Sequence, residues 1–394
     1  MNLNKIPQLS KEISYHSFNK NEFLIHQTQF DHRVKISSEL YNFLQLIDNK
    51  KNIELLVKEY NKKFNGFLST EFAYGFLYEN LAKYGIIISD EIEIKPNEKP
   101  SYLKLNFVVI NEKTVSKFTK YLKFLFLPKV MKSLLIVMLI ALIASFYLFF
   151  NQIFYANIAK SEWLLLFFLS FIGVTLHEFG HATAAHYFGA KHSGIGGGFY
   201  LFMPVYFADV TDIWKLPKSQ RIIVNLAGMY FELIYYIFLI TIGFLFQNYL
   251  IIILASIYSV SILHNLNPFA RSDGYWVLSD AIEKPNLMKH GAIQIKQIFK
   301  SKKSWKVIDY FLLIYGLISY SFVLFFVYFV VIKNPNSILY FPQNLTHFVK
   351  NLLVSNSKFS LAELGQLFIP MLFFYLVFGL LKSLLTKKKL LSTR

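Results

Sequence analysis

The chain has 394 residues, 54% of them hydrophobic and 18% aromatic, with a formal net charge of +17. Cysteine is absent, which excludes a disulfide framework and any thiolate metal site, so a bound transition metal has only histidine and carboxylate to use. A mean hydropathy of +0.39 is well above the soluble range. In so apolar a chain, the positive charge points to basic loops at an anionic membrane surface rather than to nucleic acid.

The first twenty residues are polar and lack the apolar core of a cleavable signal peptide. Residues 1–110 read as a small α+β head of winged-helix type. Short strands are expected between Tyr15 and Lys35, then helices over Ser38–Asp48, Ile53–Phe64 and Ser69–Lys83, the last closing on Gly85. Ile86–Ile94 alternates like a strand pair or wing. Residues 111–132 form a basic juxtamembrane linker in which Lys113, Lys117, Lys120 and Lys123 recur at helical spacing, suited to lipid headgroups.

Residues 133–394 then read as a polytopic helix bundle, so the chain as a whole is mainly α. Six segments are long and apolar enough to span a bilayer: about 133–155, 163–188, 221–246, 249–267, 308–332 and 364–385. With the head placed in the cytoplasm, seventeen Lys and Arg fall on inner loops and the C-terminal tail, Arg221 among them. The outer loops carry four: Lys160, Lys333, Lys350 and Lys358. That bias puts both termini in the cytoplasm. The outer segment 333–360 is expected to lie at the interface as a hairpin or helix.

On the second span stands His177-Glu178-Phe179-Gly180-His181. Residues four apart on a helix lie about 40° apart around its axis, so the two imidazoles share a face and can hold one zinc ion. Glu178 can then act as general base towards a water molecule. A span tolerates such polar groups only if they are partnered or functional. Three protein ligands are the rule for a catalytic zinc. The position six beyond His181 is Tyr187, and His186 points about 140° away. His192 in the following loop is open by spacing. A better candidate is Asp273, in Asn265-Leu266-Asn267-Pro268-Phe269-Ala270-Arg271-Ser272-Asp273-Gly274, where Pro268 breaks the fourth span and Gly274 permits a tight approach. After the second span, Gly194–Gly198 and the β-rich Phe199–Val210 form a hairpin, a re-entrant strand or an ordinary apolar loop. Asp209 and Asp212 there are either partners of a ligand histidine or solvated charges, the latter favoured for Asp212.

The pairing of H-E-x-x-H on one span with N-x-x-P-x-x-x-x-D-G on a later one resembles the site-two protease family of intramembrane zinc metalloproteases. The resemblance implies zinc ligands at His177, His181 and Asp273, the base at Glu178, and a polar contact to substrate at Asn265. Ala227-Gly228-Met229-Tyr230-Phe231-Glu232-Leu233 is similar to a further stretch of that family, with Met229 and Glu232 where it has proline and asparagine. The departure resembles the subgroup of peptide zinc metalloproteases and leaves Glu232 to support the site, to pair with a base or to snorkel. The order of elements over residues 12–95 resembles PqqD-like domains, which bind the leader of a ribosomal peptide; a structural winged helix without a ligand reads equally well. Together these imply a membrane endopeptidase of bacterial type, in the inner membrane, acting near the cytoplasmic face on a peptide precursor or membrane-anchored substrate, with a peptide transporter as neighbour. The alternative is a non-proteolytic peptide-binding or export factor whose metal is structural or vestigial.

Overall fold

The computed structural model describes residues 5–19, 21–89, 92–96, 104–155, 160–200, 203–298, 305–353 and 367–379. These divide into two compact units, the first Met1–Val137, Thr175–Gly198 and Tyr206–Ile234, the second Met138–Val174, Phe199–Val205 and Tyr235–Arg394.

In the first unit, β1 (Ile13–Asn19), β2 (Glu22–Gln27) and β3 (His32–Ser37) form an antiparallel sheet in the order β1-β2-β3. Helices α1 (Ser38–Leu44), α2 (Ile53–Phe64) and α3 (Thr70–Tyr74) follow. Each begins where a short polar side chain satisfies an orphan backbone N–H: Ser37 Oγ accepts from Leu40, Asn52 Oδ1 from Leu55 and Ser69 Oγ from Phe72. Phe43, Leu44, Ile53, Leu56 and Leu77 are wholly buried in the core between sheet and helices. The predicted helix over Ser69–Lys83 is not one regular element. After α3 it widens into a π turn (Gly75–Leu81) and tightens into a 3-10 turn (Ala82–Tyr84), stopping at Gly85 with φ +69°. The expected wing over Ile86–Ile94 is also corrected. Among the described residues Ile87 makes a single antiparallel bridge to Leu9, flanked by Ser10 N–H to Ile86 O and Ile88 N–H to Gln8 O, so the chain's own start takes the place of a second wing strand.

Strand β4 (Lys104–Ile110) joins β5 (Ile195–Tyr200) and β6 (Met203–Ala208) in a second sheet of order β4-β5-β6, so the glycine-rich segment is a hairpin. A Cβ on Gly194 would sit 2.4 Å from Ile110 O, which is why this register needs glycine. Next, α4 (Glu112–Leu122), capped by Asn111 Oδ1 on Thr114 N–H, buries Val115 and Thr119 and exposes Lys113, Lys117 and Lys120.

Among the described residues, four helices are long and apolar enough to cross a membrane: Pro128–Leu148 within α5 (Pro128–Tyr155), Leu164–Tyr187 within α6 (Lys160–Tyr187), α7 (Lys218–Leu245), and Val307–Lys333, comprising α11 (Val307–Tyr328) and a π turn. Two further apolar helices are shorter, α8 (Tyr249–His264) and Leu367–Gly379. The rest of the predicted sixth span and the tail lysines from Lys382 onwards lie outside the described residues.

The second unit also holds α9 (Asp273–Ala281) and α10 (Leu287–Ile298), then α12 (Asn336–Leu339) and α13 (Phe341–Leu353). Gly291 and Gly316 let α10 and α11 meet backbone to backbone, since a Cβ on either would fall within 3 Å of the other residue. On α13, Phe341, Leu345 and Phe348 share one face, so the described part of the 333–360 segment contains a helix with an apolar side.

Arg221 departs from its expected place on a solvated inner loop. It lies in the first turn of α7 and is fully buried, Nη1 donating to Leu216 O at 2.9 Å and the guanidinium lying 4.3 Å from the Phe18 ring. Trp214 stacks on Phe18 at 5.9 Å, so an aromatic side chain of β1 fastens the head sheet to the start of α7.

Candidate metal centre

Helix α6 carries the H-E-x-x-H residues, and the run after it is small: Ala182, Thr183, Ala184 and Ala185 are all fully buried. Small side chains let a neighbouring helix come close, and α7 does. A Cβ on Gly180 would lie 2.2 Å from Ala227 O. The helix stops at Gly189, φ +79°, where Ala190 N–H reaches back to Ala185 O at 2.8 Å.

His177, Glu178 and His181 are buried, at 7%, 8% and 8% exposure. The two histidines face α7 at positions four apart, Val224, Gly228 and Glu232, which therefore share a face. His181 Nδ1 lies 2.7 Å from Val224 O. A carbonyl only accepts, so this nitrogen carries the proton and Nε2 presents its lone pair. At the other end of the face, Glu232 Oε2 lies 3.0 Å from His177 Nδ1, off the N–H axis. Gly228 lies between them, and a Cβ there would be 2.5 Å from His177 Nε2 and 2.6 Å from His181 Nε2.

The two Nε2 atoms are 3.0 Å apart. Facing lone pairs at that distance repel unless a cation or a proton lies between them. Two nitrogens bound to one tetrahedral zinc at about 2.0–2.1 Å are about 3.3–3.4 Å apart. The pair therefore matches a shared zinc to within a few tenths of an ångström, and its donor set fits that ion. A shared zinc would be consistent with the two inner nitrogens converging while His181 Nδ1 is turned to Val224 O and His177 Nδ1 faces Glu232.

Glu178 is held separately. Its Oε2 accepts the backbone N–H of Ala208, the last residue of β6, at 2.7 Å. The hairpin thus orients the carboxylate expected to act as base. Asp209, next in the chain, is exposed, and its Oδ1 accepts from Thr211 N and Oγ1 at 3.0 and 2.6 Å, which makes a local turn. Asp212 is not a solvated charge. It accepts from Lys191 N–H at 2.7 Å and pairs with Lys215 Nζ at 2.7 Å, tying the loop after α6 to the start of the next element. Burial pushes its carboxyl up, but the Lys191 N–H and the Lys215 ammonium outweigh this and hold it below the ordinary aspartate range. His186 and His192 are engaged with α4, through Thr119 Oγ1 at 2.7 Å and Ser116 Oγ at 3.5 Å.

Asn265 and Asp273 belong to the second unit. Pro268 and the turns around it end α8, and Gly274 N–H bonds to Asn265 O at 2.8 Å, closing the Asn265–Gly274 loop on itself. A Cβ on Gly274 would lie 2.2 Å from Leu266 O, so the close approach expected of this glycine is present. Tyr315 O–H bonds to Pro268 O at 2.9 Å and fixes the loop to α11. Asp273 opens α9 with Ser272 as N-cap.

Sequence reasoning quoted Gly228 without a role and missed Val224. A glycine one helical turn before a buried glutamate was the available signal for the first. A backbone carbonyl partner leaves none for the second.

No protein-family profile matches the chain, and no solved structure is similar to it. Two proteins are. One is the candidate peptide zinc metalloprotease YydH of Bacillus subtilis, 23% identical over 207 residues, covering 50% of this chain and 79% of that protein. The other is a zinc metalloprotease of Methanocaldococcus jannaschii, 28% identical over 181 residues, covering 42% of this chain and 48% of that protein. These names support a zinc metalloprotease, and the apolar helices a membrane protein.

Proposed function

We propose that the chain is a membrane-embedded zinc endopeptidase of site-two protease type that hydrolyses a peptide bond of a peptide precursor or membrane-anchored substrate near the cytoplasmic face. The single observation that carries this reading is the convergence of His177 and His181 Nε2 at 3.0 Å beside a carboxylate base. His177, His181 and Asp273 are the proposed ligands, one nitrogen from each imidazole and one oxygen from the carboxylate. Bound there, zinc would polarise the scissile carbonyl and lower the pKa of a water. Glu178 takes the proton of the attacking water and returns it to the leaving amine. The Ala208 N–H holds that carboxylate in one rotamer, so the transfer needs little reorganisation. Burial keeps bulk water from competing for the proton. In the same reading, α8 and Leu367–Gly379 complete six spans, both termini are cytoplasmic, Asn265 contacts substrate, and the head is PqqD-like and engages the leader of the substrate.

The test is cleavage of a co-expressed candidate precursor in membranes containing the wild type or Glu178→Ala. The reading predicts zinc in both and cleavage only in the wild type. Normal processing by Glu178→Ala would sink it.

A further inference from the structure

We propose that Glu232 is a positioning residue of the metal centre, holding His177 with Nδ1 protonated so that Nε2 is presented to the metal. The inference rests on the zinc metalloprotease reading and says how one of its ligands is kept in place. Glu232 is the only acidic residue in α7, fourteen residues from Lys218 at its start, or about 21 Å of rise. At 2% exposure it cannot snorkel to a surface. An ionised carboxylate at such a place is costly unless a specific partner compensates it.

The partner is His177. Oε2 stands 3.0 Å from Nδ1, while Nε2, at the far edge of the same ring, is the atom that meets His181. Glu232 therefore lies behind the imidazole and acts through it, rather than joining the ligand set. The present contact is off the N–H axis, as hydrogen bonds of a site without its ligand often are. The two histidines are thus held differently. His181 donates to a neutral carbonyl, Val224 O, whereas His177 Nδ1 faces a carboxylate at 3.0 Å, off the N–H axis. The carboxylate makes His177 the more electron-donating ligand.

The experiment uses the full chain in lipid nanodiscs as wild type, Glu232→Gln and Glu232→Met, with zinc affinity read by chelator competition and folding by thermal melting. Glutamine keeps an acceptor for Nδ1–H and loses the charge; methionine keeps the volume and loses both. We expect methionine to weaken zinc about 10- to 100-fold with the fold retained, and glutamine to recover part of that loss. Methionine binding zinc as tightly as wild type, or glutamine no better than methionine, would overturn the proposal. If the methionine variant does not accumulate, unchanged zinc affinity in Glu232→Gln overturns it instead. A wild type that binds no zinc would refute the metalloprotease reading itself, a separate and recognisable result.

Discussion

Gly228→Ala should expel the metal while leaving the fold in place. The added Cβ would stand 2.5 Å from His177 Nε2, 2.6 Å from His177 Cε1 and 2.6 Å from His181 Nε2. Ordinary contact begins near 3.5 Å, so the rings must retreat by about 1 Å. Helix α7 cannot yield instead, because Gly180 already meets the Ala227 carbonyl with no room for a Cβ. Overpacking of this kind costs about 1–3 kcal/mol, and here the cost falls on the bond-forming nitrogens, which is about 5- to 150-fold in zinc affinity. Chelator competition on the purified protein reads the affinity, and thermal melting reads the fold. Gly75→Ala is the control: its Cβ meets the Glu79 carboxyl group at 3.5 and 3.8 Å, and should leave zinc affinity unchanged without lowering the melting temperature. Zinc affinity within twofold of wild type in Gly228→Ala would refute the argument that this glycine is the floor of the site.

Phe18→Leu removes the ring under Arg221 while keeping an apolar side chain, and should cost about 1–2 kcal/mol, read as faster proteolysis between the head and α7; an unchanged cleavage rate would mean the clamp contributes nothing. Asp212→Asn should speed amide exchange at Lys191, whose N–H the carboxylate accepts. The folded carboxyl lies below its unfolded value, so the stabilisation is present above about pH 4 and lost as pH falls through the folded value; wild type and variant should converge there. A difference that persisted in acid would contradict that sign. Gly180→Ala should lower thermal stability more than Gly75→Ala, because its Cβ meets the backbone of α7 and not a flexible side chain.

The metal helix was legible because its chemistry is periodic. His177 and His181 share a face by helical geometry alone. The partners on α7 were less legible, since a four-residue spacing of Val224, Gly228 and Glu232 is ordinary in an apolar helix until its neighbour is known. Arg221 was misplaced for a related reason: charge counting assigns every basic residue near a span to water, and cannot see that Phe18, some two hundred residues earlier, covers it. The wing was read from alternation in Ile86–Ile94, but alternation does not name a partner, and Leu9 took the pairing. Strand β4 lies at the end of the predicted head. Its alternating KLNFVVI sequence was a usable signal, but its partners lie some ninety residues away in the hairpin after α6.

The most direct measurement is zinc stoichiometry with X-ray absorption at the metal edge on the purified chain. The account predicts one zinc per chain with two imidazole nitrogens and carboxylate oxygen at about 2.0–2.2 Å, lost in His177→Ala and His181→Ala. A wild type without zinc, or those variants holding as much as the wild type, would contradict it.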